Sequence, residues 1–223
     1  MSTPTIAARP DGRPWLRGAL HGLALPLAMA GVWMLFQAAP AGMAWRAAVG
    51  AFGLTLVGLY AVSSIYHLGP WSARVREMLS RFDGAMILLF IAGSFTPVAF
   101  YALDGGWRTW SLVIAWIVAS TGAGIAVSPL KAPRWLSTLG FVGVGWLTLV
   151  PMGRIIQALP WEGVGLLALG GMLYTLGAIV YAKRWPNPLP TVFGYHEVFH
   201  LLVVAASTAH YFAIWRYVIA GAA

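Results

Sequence analysis

The chain has 223 residues, 60% of them hydrophobic and only 9% charged. Soluble domains carry roughly 25% charged residues, so this chain cannot cover itself with a water-facing surface and reads as an integral membrane protein. Its net charge of +8 does not point to nucleic acid, because the basic residues gather in short loops between apolar runs. The absence of cysteine removes disulfides and thiolate metal ligands, leaving nitrogen and oxygen donors.

Residues 1–17 are polar and read as a short tail; residues 18–223 form one transmembrane domain. The first apolar run is Gly18 to Gln37. Ala38-Ala39-Pro40-Ala41 could serve as a cleavage region, but the run exceeds the ~7–15 residues of a signal-peptide core and is expected to stay as a helix. The second run is Ala44 to His67, and the third is Phe82 to Leu103 with a kink expected at Pro97. The fourth is Trp107 to Val127, and the fifth is Trp135 to about Ile156, interrupted by Pro151. The sixth, Trp161 to Ala182, is rich in glycine that permits close helix approach, and the seventh is Thr191 to about Ile219. Runs of about 20 residues match the hydrocarbon thickness, so the expected fold is all-α with seven transmembrane helices.

Basic residues set the orientation. Ten of the 14 lysines and arginines fall on the side that holds the tail: Arg9, Arg13, Arg17, Arg74, Arg76, Arg81, Lys131, Arg134, Lys183 and Arg184. The N-terminus is therefore expected in the cytoplasm and the C-terminus outside. This topology brings the end of helix two and the starts of helices three and seven to one membrane depth. Ser63, His67, Asp83, His196 and His200 lie at those ends. Ionisable residues within spans are costly and mark a partner or a cavity.

His196 and His200 are four apart on one helix and project one turn above each other. With His67 they supply three imidazoles, which leave one position of a tetrahedral zinc open to water. Zinc lowers the pKa of that water towards ~7. Asp83 would orient the water or take its proton, and Ser63 would donate a hydrogen bond to the water or to a developing oxyanion. The chemistry is hydrolysis of an amide or ester whose head group lies near the inner leaflet.

Plainer readings stand beside this one. Asp83 could pair with Arg81 or cap the start of helix three, and Ser63 or Ser64 could bond back to a helix carbonyl. His21, one turn inside helix one, reads as packing or as an outer-sphere neighbour of the site. His210 lies about 21 Å beyond His196 along the helix and is expected at the membrane interface. His196-Glu197-x-x-His200 has the form of a zinc-protease helix in which the glutamate is the base, and Leu103-Asp104-Gly105 has the form of an intramembrane-protease aspartate motif. That aspartate falls at the far end of helix three and cannot reach the same metal. Glu197 remains a candidate base or a neighbour of the metal ligands in this reading.

Ser63-x3-His67, Arg81-Phe82-Asp83, the stretch Ile91 to Pro97 and the stretch Gly194 to His200 resemble the haemolysin III branch of the progestin and adipoQ receptor family. The likeness runs from helix one to helix seven, and Gly84 stands where relatives often carry a histidine. The resemblance implies a zinc site at the cytoplasmic end with His67, His196 and His200 as ligands and Ser63 and Asp83 beside it. It also implies kinship with alkaline ceramidases and a setting in membrane lipid homeostasis, in the inner membrane of a bacterium. The expected function is a zinc-dependent lipid amide or ester hydrolase with a membrane lipid as partner. The alternative is a receptor or sensor whose zinc is structural, its fourth position closed by Asp83. A cytolytic pore ranks lower, since few polar residues could line a lumen.

Overall fold

The computed structural model describes residues 12–130 and 133–222, without the Arg134 side chain. Residues 1–11 of the expected tail, Arg9 among them, lie outside the described residues, as does Lys131. The described chain is helical: α1 (Ala19–Ala38), α2 (Met43–Leu68), α3 (Ala73–Ala102), α4 (Gly105–Val127), α5 (Arg134–Leu147), α6 (Met152–Ala158), α7 (Trp161–Lys183) and α8 (Tyr195–Ala213), which ends in a π-helical turn over Ile214–Ile219. Six of these helices are long and apolar enough to cross a membrane, and α5 with α6 makes a seventh span bent by 50°. The bend falls at Thr148–Pro151, where proline has no N–H to give and its ring crowds the preceding turn.

Two boundaries differ from those expected. α3 begins at Ala73, not near Phe82, so Asp83 sits well inside the helix and does not cap it. Arg74, Arg76, Glu77 and Arg81 form a charged helical extension there, and hydropathy could not tell a polar helix from a loop. The N-cap is Ser72, whose hydroxyl accepts from the Val75 N–H. α8 begins at Tyr195, not Thr191, which puts His196 and His200 in its first two turns. α3 runs without interruption through Pro97.

Neighbouring helices form a closed ring: α1 on α2, α2 on α3, α3 on α4, α4 on α5, α5 on α7, α7 on α8, and α8 back on α1. The core is filled by Leu35, Val49, Phe52, Phe90, Ile214 and Val218. Outside it, Leu27, Leu54 and Trp33 remain 74%, 78% and 64% exposed, as side chains facing hydrocarbon would be. α2 and α3 approach closely because Gly93 has no side chain. A Cβ there would lie 2.0 Å from Thr55 Oγ1 and 2.8 Å from the Ala51 carbonyl oxygen. Thr96 then bonds its own helix at the Ala92 carbonyl and accepts the indole N–H of Trp116 from α4. The short turn between α2 and α3 and the longer loop of residues 184–194 before α8 bring the end of α2, the first turns of α3 and the start of α8 to one end of the bundle.

Candidate metal centre

His67 closes the last turn of α2, and His196 and His200 stand one turn apart on α8. The Nε2 atoms of His67 and His196 face each other at 3.1 Å. One ring nitrogen from each of the three histidines lies within 4.8 Å of the others, an arrangement that could hold a metal ion. His67 and His200 are buried, and His196 is half-buried. Nitrogens bound to a tetrahedral zinc at 2.0–2.1 Å stand about 3.3 Å apart; the His67–His196 pair is near that separation, and three imidazoles are a donor set that zinc accepts. The other nitrogen of His67, Nδ1, is buried without a hydrogen-bond partner among the described residues. Its ring is held by packing on Tyr66, His196 and His200.

Asp83 comes to this cluster from α3, its Oδ2 lying 3.8 Å from His67 Nε2. It has not paired with Arg81, which instead bonds Glu77 one turn back at 2.8 Å. Ser63 lies one turn before His67 on α2 and is buried. Its hydroxyl does not bond back to a helix carbonyl; it faces Asp83 without a fully formed hydrogen bond. Ser64 does bond back, to the Tyr60 carbonyl at 2.6 Å. Ser63, Asp83, His200 and His21 share the polar wall of a cavity of about 10 Å³, with Leu59 and Val203 on its apolar side. That is about the least space that holds one water.

Glu197 points elsewhere. One carboxylate oxygen pairs with the Arg17 guanidinium, and the other accepts the Gly194 N–H at 2.8 Å, capping α8. In the sequence Arg17 reads only as a topology charge, and nothing in its spacing signals this partner 180 residues away. Around it, residues 12–18 form a strap. Trp15 and Leu16 donate backbone hydrogen bonds to the carbonyls of Thr191 and Val192. Gly18 takes a φ of 83° where a Cβ would lie 2.5 Å from the His67 Cβ, so only glycine lets the strap cross the end of α2. Asp104 stands at the start of α4, beyond the far end of α3 and roughly 30 Å from Asp83 along that helix, and faces Arg154 at 3.8 Å. His210 bonds the Leu167 carbonyl of α7 at 3.2 Å, and its ring occupies the space left by Gly170. It clamps α8 to α7, because the glycine face of α7 admits its ring.

The family model described as Haemolysin-III related matches residues 12–211. The chain is 30% identical over 200 residues to the Hemolysin-3 homolog of Bacillus subtilis, covering 88% of this chain and 90% of that one. It is 31% identical over 170 residues to Hemolysin-3 of Bacillus cereus, covering 75% and 74% of the two chains. It is also 24% identical over 170 residues to the human Monocyte to macrophage differentiation factor, covering 74% and 68%.

Proposed function

The chain belongs to the haemolysin III branch of the progestin and adipoQ receptor family, and within that family we propose that it is a zinc-dependent hydrolase of an amide or ester bond in a membrane lipid. The observation that carries this is the convergence of His67, His196 and His200 beside a water-sized cavity that His200 lines together with Ser63 and Asp83. His67, His196 and His200 would hold the ion. A zinc there supplies Lewis acidity and acidifies water at its open position towards neutral pH.

The protein's own groups supply the rest. The Asp83 carboxylate orients a cavity water and takes its proton onto Oδ2. The Ser63 hydroxyl, with no competing acceptor in α2, donates to oxygen in the cavity. Leu59 and Val203 limit the water that reaches the cavity. The lipid head group is expected near the cytoplasmic leaflet of a bacterial inner membrane, by the distribution of basic residues.

One observation favours a second reading. The cavity beside the histidines is water-sized, and the larger open groove of about 410 Å³, between α1 and α2, is lined by Met29, Trp33, Phe36 and Leu54, away from the histidines. A sensor with a structural metal, Asp83 completing its sphere, needs no lipid-sized space at the site.

Elemental analysis of detergent-purified protein, wild type beside His67→Ala and His196→Ala, decides whether the site is a metal site. One zinc per chain, lost in both variants, is the expected result; none in folded wild type would remove the hydrolase mechanism. Lipid amides and esters are then screened against Ser63→Ala and Asp83→Ala. Both should keep zinc and lose turnover by about 10²-fold or more. No turnover of any lipid by zinc-loaded wild type would leave the sensor.

A further inference from the structure

His21 has a position that packing does not explain. Its ring lies between the Tyr60 ring, at 4.9 Å and 26°, and the His200 ring, at 4.0 Å and 9°. The residue is 2% exposed, and neither ring nitrogen has a hydrogen-bond partner among the described residues. A phenylalanine would stack on Tyr60 equally well. An imidazole buried with no hydrogen bond has lost its water without a partner to replace it, which is costly. The ring also lines the cavity that Ser63, Asp83 and His200 share. It is not one of the three histidines whose nitrogens converge.

We infer that His21 is a ligand-binding residue of this site, donating a hydrogen bond from its imidazole to an oxygen of the group that occupies the cavity. The ligand class is a compound with an acceptor oxygen, of a carbonyl, carboxylate or hydroxamate, and that oxygen alone enters the water-sized cavity between His200 and the wall made by α1 and α2. The inference rests on the metal-site reading above and adds a residue from α1 to it. Three helices then read the ligand: Ser63 of α2, Asp83 of α3 and His21 of α1. The stack on His200 keeps the His21 ring in place while its edge stays free to bond.

The test uses full-length detergent-solubilised protein loaded with Co²⁺, whose visible absorption reports both metal occupancy and ligand binding, titrated with acetohydroxamic acid. His21→Phe keeps the stacked ring and removes both nitrogens. His21→Met fills similar volume without a donor and serves if the phenylalanine variant does not fold. His21→Gln restores an N–H donor. Expected are one Co²⁺ per chain in every variant and hydroxamate affinity weaker by about 10-fold in His21→Phe or His21→Met. His21→Gln should recover to within about 3-fold of wild type. Unchanged hydroxamate affinity in the donor-free variants would reduce His21 to packing and overturn the inference alone. Loss of Co²⁺ from those folded variants would also overturn it, by making His21 a support of His200. Failure of wild type to bind Co²⁺ would instead overturn the metal-site reading from which the inference starts.

Discussion

At the scale of single residues, Glu197 separates this site from the protease helix that its local sequence imitates. In that helix the glutamate must reach water at the metal. Here both oxygens are engaged, one by Arg17 and one by the Gly194 N–H, and the residue is 1% exposed. Its role is to fasten the strap to α8 and to satisfy the helix start. Glu197→Gln should therefore retain one metal per chain and lower stability. The loss is expected at about 2–3 kcal/mol, below the ~3–5 of a fully buried pair because Arg17 is 15% exposed. Thermal unfolding in detergent, beside metal content, checks this; unchanged stability with lost metal would return Glu197 to the site. The three histidines and Ser63 were legible as a site because their helix spacing and membrane depth agreed. Arg17 was not, since an ion pair spanning the whole chain leaves no periodic trace.

Among the elements, the α2–α3 pair carries half of the site, and its separation is set by Gly93. Ser63 and His67 come from one helix and Asp83 from the other, so their spacing depends on the close crossing near Thr55 and Ala51. Gly93→Ala should destabilise the protein by about 1–3 kcal/mol, the usual cost of overpacking. Thr55→Ala should rescue only part of that loss, because the Ala51 carbonyl oxygen still lies 2.8 Å from the new Cβ. Denaturation midpoints of the two single variants and the double variant test this, and full rescue would mean that the backbone contact carries no strain. Helix existence was legible from apolar runs and Pro151, but the ten-residue extension before Asp83 was not. Charged residues at helical spacing read as a loop until α3 is seen to continue through them.

The whole molecule is a closed ring of helices whose site lies at one end and joins elements distant in sequence. His67 and His196 are separated by 129 positions and meet at 3.1 Å. An ion held there would bind only the folded arrangement and so stabilise it by mass action. Chelation of purified wild type should lower the thermal midpoint and restoring zinc should raise it, the added stability being about 2.7 kcal/mol at a free metal concentration 100-fold above Kd. His67→Ala should show no such response. An equal response in that variant would place the stabilising metal elsewhere.

Composition alone determined that this chain lives in a membrane, because 9% charged residues cannot cover a water-soluble surface. Run lengths determined the spans, and the basic loops gave an expected orientation; placing His67, Asp83 and His196 at matching ends needed only that alternation. Tertiary structure decided the rest. It turned Glu197 and Arg17 into a fastening, Gly18 into the crossing point of the strap, and His210 into a clamp on α7. It also brought His21 from α1 against His200 with its nitrogens unmet. These outcomes depend on which side of each helix meets which neighbour, and in spans that are apolar all round no hydrophobic stripe encodes that choice.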